Sequence, residues 1–179
     1  MGDWQRALLD YELSKKQALN YGNDYAVAYA QLGICKASLE GDLIEQAEPA
    51  CNEAYATLNK PWERMALVAN DAKASLLLSQ NRPEAAVLVL SNALAKFSSD
   101  AASGERSDAY RTRAAAFSAL GRDEEAYSDL VAATRIAEKL YKREQNNATI
   151  IAQARFQTEE LQNDLALEQE ASEASKRIA

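Results

Sequence analysis

No histidine occurs anywhere in this 179-residue chain. Its absence removes the commonest general base, the usual triad member and the commonest transition-metal ligand, and most hydrolytic mechanisms fall with it. Glycine and proline are scarce, at 6 and 3, and aromatics make up 7% against a hydrophobic content of 47%. The apolar content is therefore mostly alanine and leucine, which favour helix and argue against a sheet protein. Basic residues are outnumbered, 20 against 27 acids. The resulting net charge of −7 repels the phosphate backbone and excludes nucleic acid as the expected partner. Long apolar runs are missing too. Leu76-Leu77-Leu78 and Ala85 to Leu90 fall far short of the ~20 residues that span a bilayer. The opening Met1-Gly2-Asp3-Trp4 has no basic region followed by an apolar stretch, so it encodes no signal peptide.

What is present is a repeat. Four segments align: Gly2-Asp3-Trp4-Gln5-Arg6-Ala7, Gly41-Asp42-Leu43-Ile44-Glu45-Gln46-Ala47, Asn81-Arg82-Pro83-Glu84-Ala85-Ala86 and Gly121-Arg122-Asp123-Glu124-Glu125-Ala126. Each reads as a turn followed by a helix whose first apolar position is alanine. Ala7, Ala47, Ala86 and Ala126 recur at strides of 40, 39 and 40 residues. Four positions on stand Tyr11, Cys51, Leu90 and Leu130, and seven positions on stand Ser14, Ala54, Ala93 and Ala133. These positions share a helix face that is small, large, small. Such a face lets an antiparallel neighbour approach closely while the large residue fills the groove. Preceding helices carry a complementary pattern at Tyr110, Ala114 and Phe117, at Asn70, Ala74 and Leu77, and more loosely at Tyr29, Leu32 and Gly33.

These spacings resemble the tetratricopeptide repeat (TPR) over roughly residues 2–142. The resemblance implies an all-α, TPR-like α-solenoid of antiparallel helix pairs, with about three and a half repeats in 1–145. The standard repeat is about 34 residues, so the extra length belongs in longer helices and in connectors such as Leu19 to Asn23 and Ser98 to Gly104. Helices are expected near 3–20, 25–39, 43–59, 61–80, 83–97, 105–120 and 123–145, with Pro61 in the first turn of its helix. Because Gly2-Asp3 matches a turn inside a repeat, the chain reads as a piece of a longer protein.

After Gln145-Asn146-Asn147, residues 146–179 run without Gly or Pro and carry Ile151, Ala154, Thr158, Leu161 and Leu165 in steps of three and four. That is a long linker helix with a coiled-coil-like seam. The seam fades through Glu168, Ser172 and Ser175, so it would hold a homodimer through this helix only weakly on its own. Its segment Ala154 to Glu160, followed by Leu165-Ala166-Leu167-Glu168, resembles the helix that follows TPR arrays in bacterial signal-transduction proteins, where it leads to a diguanylate cyclase (GGDEF) or histidine kinase domain. That resemblance implies a sensor domain in the periplasm, anchored to a membrane through a segment outside this chain, with a cytoplasmic location as the alternative. It also implies a non-catalytic role in protein or ligand binding, relayed to an output domain that this chain does not contain. The competing function is a stand-alone TPR adaptor that docks partner peptides.

Candidate chemistry is sparse. No nucleophile–base pair, cofactor motif or metal set can be assembled, so no catalytic, cofactor or metal residue is assigned. Cys35 and Cys51 fall on neighbouring helices. Core packing is the first reading, a disulfide requires an oxidising compartment and closely approaching helices, and a zinc site is a third. Asp123-Glu124-Glu125 open a helix, where the dipole favours negative charge. Trp4 and Trp62 are expected to bury against adjacent helices. Carrying over the TPR concave face gives the candidate binding residues Lys36, Asp71, Ser75, Arg111 and Ser118, with Ala115 beside them. Their expected occupant is a protein, a peptide or a small molecule.

Overall fold

The computed structural model describes residues 3–59, 63–96 and 103–178. Among the described residues seven helices follow one another: α1 (Asp3–Asn20), α2 (Asp24–Glu40), α3 (Ile44–Leu58), α4 (Glu63–Ser79), α5 (Pro83–Lys96), α6 (Gly104–Ala119) and α7 (Asp123–Ile178). Among the described residues there is no strand, and the fold is all-α. The chain divides into two compact units, 1–137 and 138–179. The helix expected over 123–145 runs on unbroken through Gln145-Asn146-Asn147 to Ile178. Asn is only a mild helix breaker, and nothing here supplies the glycine or proline that ends a helix.

Within the first unit, each helix from α1 to α6 packs on the next, and α4 also touches α2 and α6. The turns explain the alternation. At α1/α2, α2/α3, α4/α5 and α6/α7 the same pair of backbone bonds closes the helix end. Asn23 N–H reaches Ala18, Leu43 reaches Ser38, Arg82 reaches Leu77 and Arg122 reaches Phe117, at 2.8–3.1 Å. A residue in the left-handed region sits just before each donor: Gly22, Asp42, Asn81 and Gly121, with φ between 56° and 69°. This is the Schellman closure, in which a left-handed residue lets the chain reverse and satisfies orphan carbonyls.

The sequence alignment placed Gly41 in the role of Gly121, and the structure corrects that by one residue. Asp42 takes the left-handed conformation, with φ 56°, while Gly41 has φ −87°. Its missing side chain serves another purpose, since a Cβ there would stand 2.8 Å from the Trp4 ring. Trp4 is half-buried against this glycine, in line with its expected packing on an adjacent helix. A second close approach lies at Gly33, where a Cβ would overlap the Tyr11 ring. Trp62, Pro61, the connector residues 98–102 and the side chains of Glu168, Ser172 and Ser175 lie outside the described residues.

The repeated alanines do what their stride implies. Ala47, Ala54 and Ala86 are completely buried, and Ala93 and Ala133 nearly so. Cys51 and Leu90 fill the large position between them, at 1% and 0% exposure. The pattern fails at the two outer helices. Ser14 is exposed, and Leu130 is 48% exposed rather than in the core. A large residue at this position needs a further helix to cover it, and none of the described helices in the first unit does so for α7. α7 meets α6 through a small apolar cluster of Ala114, Phe117 and Ala126 and through polar bonds. Arg113 donates two hydrogen bonds to Asp129, both at 2.7 Å, and a third to Ser91 on α5 at 3.2 Å. Its guanidinium also lies over the Tyr110 and Phe117 rings.

Cys35 and Cys51 are bonded, with Cα atoms 4.9 Å apart. Both side chains are also fully buried, so core packing and the disulfide, set out above as alternatives, coincide. The bond staples α2 to α3 in the middle of a cluster with Leu32, Leu58 and Leu76.

Two stability outcomes follow from this architecture. In urea unfolding, Asn81→Gly is expected to leave stability unchanged or raise it by about 0.5–1 kcal/mol, whereas Gly121→Ala costs about 1–2 kcal/mol; equal effects would contradict the turn assignment. Removing the disulfide by the double change Cys35→Ala and Cys51→Ala should lower stability by about 2–4 kcal/mol, because it frees a 16-residue separation in the unfolded chain. Loss of less than half that range would show that the staple adds little.

Candidate functional site

The helices that share α4 as a neighbour enclose a cavity of about 230 Å³ lined by Lys36 of α2, Val68 and Asp71 of α4, and Gly104, Glu105 and Asp108 of α6. Helical spacing explains the grouping. Val68, Asp71 and Ser75 lie three and four residues apart on one face of α4, as do Glu105, Asp108 and Thr112 on α6. Ser103 begins α6 by accepting a hydrogen bond from the Arg106 N–H at 3.3 Å, which sets where that face starts.

Asp71 is the unusual group. It is 8% exposed, and its Oδ1 is buried without a hydrogen-bond partner. Burial pushes its carboxyl above the ordinary range; the Thr112 hydroxyl and the charge of Lys36 oppose that rise, and Asp108 reinforces it. A buried carboxylate oxygen left without a donor costs free energy that a fold built for stability alone would avoid. Lys36, by contrast, is exposed.

Of the residues carried over from the TPR face, the structure brings Lys36 and Asp71 together in one cavity. Ser75 is half-buried one turn along α4, while Arg111, Ala115 and Ser118 are exposed on α6 and do not line it. Asp108, Glu105 and Thr112 were missed. No local pattern marks them, since the repeat register selects Arg111, Ala115 and Ser118 on that helix. A second groove, of about 330 Å³, lies between α1, α2 and α3. Four of its polar groups pair with one another: Gln31 donates to Glu53, and Gln46 donates to Glu12 at 3.2 Å; Lys15 and Lys16 also line it. No protein-family model matches the chain, and no curated protein resembles it in sequence. Among the described residues, no three His, Cys, Asp or Glu side chains gather closely enough to hold a metal ion.

The second unit, taken by itself, is helix throughout its described length. Ile151, Leu161 and Leu165 stand 54–70% exposed along it, which puts the expected seam on the surface. Thr158 turns its hydroxyl back to the Ala154 carbonyl at 2.8 Å, a local bond that hides polarity within the seam. Among the described residues, no helix is long and apolar enough to cross a membrane.

The state of Asp71 has a measurable consequence. Its native pKa is raised, so the folded protein holds this proton more tightly than the unfolded chain. The associated stability is present at low pH and is lost as pH rises through the native value. Asp71→Asn cannot ionise. It should therefore be more stable than the parent near neutral pH, by roughly 0.5–2 kcal/mol, and the difference should vanish toward about pH 3. A variant less stable at neutral pH would mean that the carboxylate is a structural partner.

Proposed function

We propose that this chain is a non-catalytic, TPR-like binding module of a bacterial signal-transduction protein. In this reading the α2/α4/α6 face receives a ligand or partner, and α7 carries the change to an output domain beyond the chain, a diguanylate cyclase or a histidine kinase. The carrying observation is the buried, half-unsatisfied carboxylate of Asp71 in a cavity shared by three helices. A group left wanting a partner in the free protein is what a binding site presents. Support for the repeat reading comes from four turns of one geometry and from alanines buried in phase.

The relay is supported by α7 itself. Its first turns are tied to α6 and α5 through Arg113, Asp129 and Ser91, and the same helix continues to Ile178 with an apolar seam exposed. Ligand binding moves such an element only if it binds one arrangement more tightly than another. The buried disulfide fits an extracytoplasmic site of action, since such bonds persist in oxidising compartments.

A thermal-shift screen of peptides and metabolites, followed by hydrogen exchange, tests this reading. A ligand at ~100 times its Kd should add about 2.7 kcal/mol to stability and alter amide protection in residues 138–178. A flat screen would contradict the binding role. Binding with protection confined to residues 3–137 would contradict the relay and leave an adaptor.

A further inference from the structure

We propose that the exposed face of the first turns of α7, carrying Tyr127, Leu130 and Thr134, is an antiparallel two-fold contact with a second copy of this chain. This contact is separate from the α2/α4/α6 cavity and goes beyond the ligand-binding reading.

The inner repeats show what this face is built to meet. Tyr127, Leu130 and Thr134 lie three and four residues apart, on one stripe of α7. Forty residues earlier the same stripe of α5 carries Val87, Leu90 and Leu94. Leu90 and Leu94 are buried in a cluster with Ala109 and Ala116 of α6, and Val87 packs against it. On α3 the Leu90 position is Cys51, which is buried in a cluster with Ala69, Ala72 and Leu76 of α4. A following helix therefore covers this stripe twice. On α7, Tyr127 is 71% and Leu130 48% exposed, and Thr134 is exposed beside them. α3 and α5 stop after 15 and 14 residues, whereas α7 runs straight on, so no returning helix follows at the usual place.

The charges beside the stripe favour a second copy over another repeat helix. Glu124 and Arg135 lie eleven positions apart, near three helical turns, so they share one flank of it. Both are exposed, and the ion pairs within the chain engage other residues. The inner helices keep the acid, at Glu45 and Glu84, but carry Ala56 and Ala95 where α7 has Arg135. The base is thus particular to the helix whose stripe is uncovered. An acid before the apolar centre and a base after it complement themselves when two copies run antiparallel about a two-fold axis. With Leu130 set against Val131 of the second copy, Arg135 comes level with position 126. That is two residues, roughly 3 Å along the axis, from Glu124 of the second copy, and the two-fold repeats the pair. The same register lays the large Tyr127 over the smaller Thr134. A parallel pair would instead set Arg135 on Arg135 and Glu124 on Glu124. The patch is short against the ~1,200–2,000 Å² buried by stable complexes, so the dimer is a weak one, with a Kd of about 10–100 μM.

Sedimentation equilibrium of the full chain, over a concentration range that brackets this constant, should show a monomer–dimer equilibrium. Leu130→Asp should weaken it by at least about tenfold, as burying an unpaired charge does. Leu130 is half exposed in the single chain, and circular dichroism with a urea midpoint confirms that the variant is folded. Arg135→Glu should also weaken the dimer, and adding Glu124→Arg to it should restore the parent constant. Orientation is read by cross-linking, since both native cysteines are held in the disulfide. A mixture of Tyr127→Cys and Thr134→Cys chains should form a mixed disulfide dimer faster than either variant couples to itself. A chain that stays monomeric throughout the range overturns the proposal. So does a dimer that is indifferent to Leu130→Asp, or one in which the double charge reversal restores nothing. Self-coupling of Tyr127→Cys in preference to the mixed dimer contradicts the antiparallel contact. A dimer lost on Ile151→Asp but kept on Leu130→Asp would assign association to the seam of the second unit, and overturns it as well.

Discussion

The packing of this protein depends on how closely its helices approach. Ala47, Ala54, Ala66, Ala74, Ala86, Ala109 and Ala116 are all completely buried, and each belongs to a core cluster packed from several helices. Gly33 under the Tyr11 ring and Gly41 under the Trp4 ring take the same device one step further. Close approach brings many atoms into van der Waals range at once, which compensates for a chain with few aromatic residues. It also brings Cys35 and Cys51 within bonding distance. The α2/α4/α6 face is a product of the same spacing, because only tightly packed pairs let three alternate helices line one cavity.

Against this economical core, the polar exceptions stand out by contrast. Asp129 is buried and accepts two hydrogen bonds from the half-buried Arg113. Asn70 is buried and donates to both Asn59 and the Ala66 carbonyl at 2.7 Å. Gln31 is buried and reaches Glu53. Each of these joins two helices or closes a helix turn. Asp71 does neither completely, and it is the member of this group that lines the α2/α4/α6 cavity. Ser38 Oγ is also buried without a partner, so what sets Asp71 apart is its place in the lining of that cavity.

Much of the fold was legible because small residues repeat in phase, and burial of the inner alanines follows from that phase alone. The turns were legible in position but not in detail. Gly41 drew the alignment because glycine usually marks a left-handed residue, yet here it makes room for Trp4, a contact 37 positions away in sequence that no local pattern encodes. Leu130 misled for a related reason, since whether a large residue is covered depends on a neighbouring helix and not on its own repeat. The cysteine pair could be placed on adjacent helices from sequence, whereas bonding required the interhelical distance. At the site, Lys36 and Asp71 were reached through the repeat register. Asp108, Glu105 and Thr112 were not, because the register singles out positions later in α6, and the convergence of α6 on α4 is a tertiary fact.

The most direct test of the account compares enlargement of an interface alanine with enlargement of an exposed one. Ala86→Leu and Ala115→Leu add the same atoms to neighbouring helices, one at a fully buried contact and the other on an exposed face. Measured by urea unfolding, Ala86→Leu should lower stability by about 1–3 kcal/mol through overpacking, while Ala115→Leu stays within about 0.5 kcal/mol of the parent. Equal tolerance at the two positions would contradict the claim that close helix approach through these alanines sets the architecture.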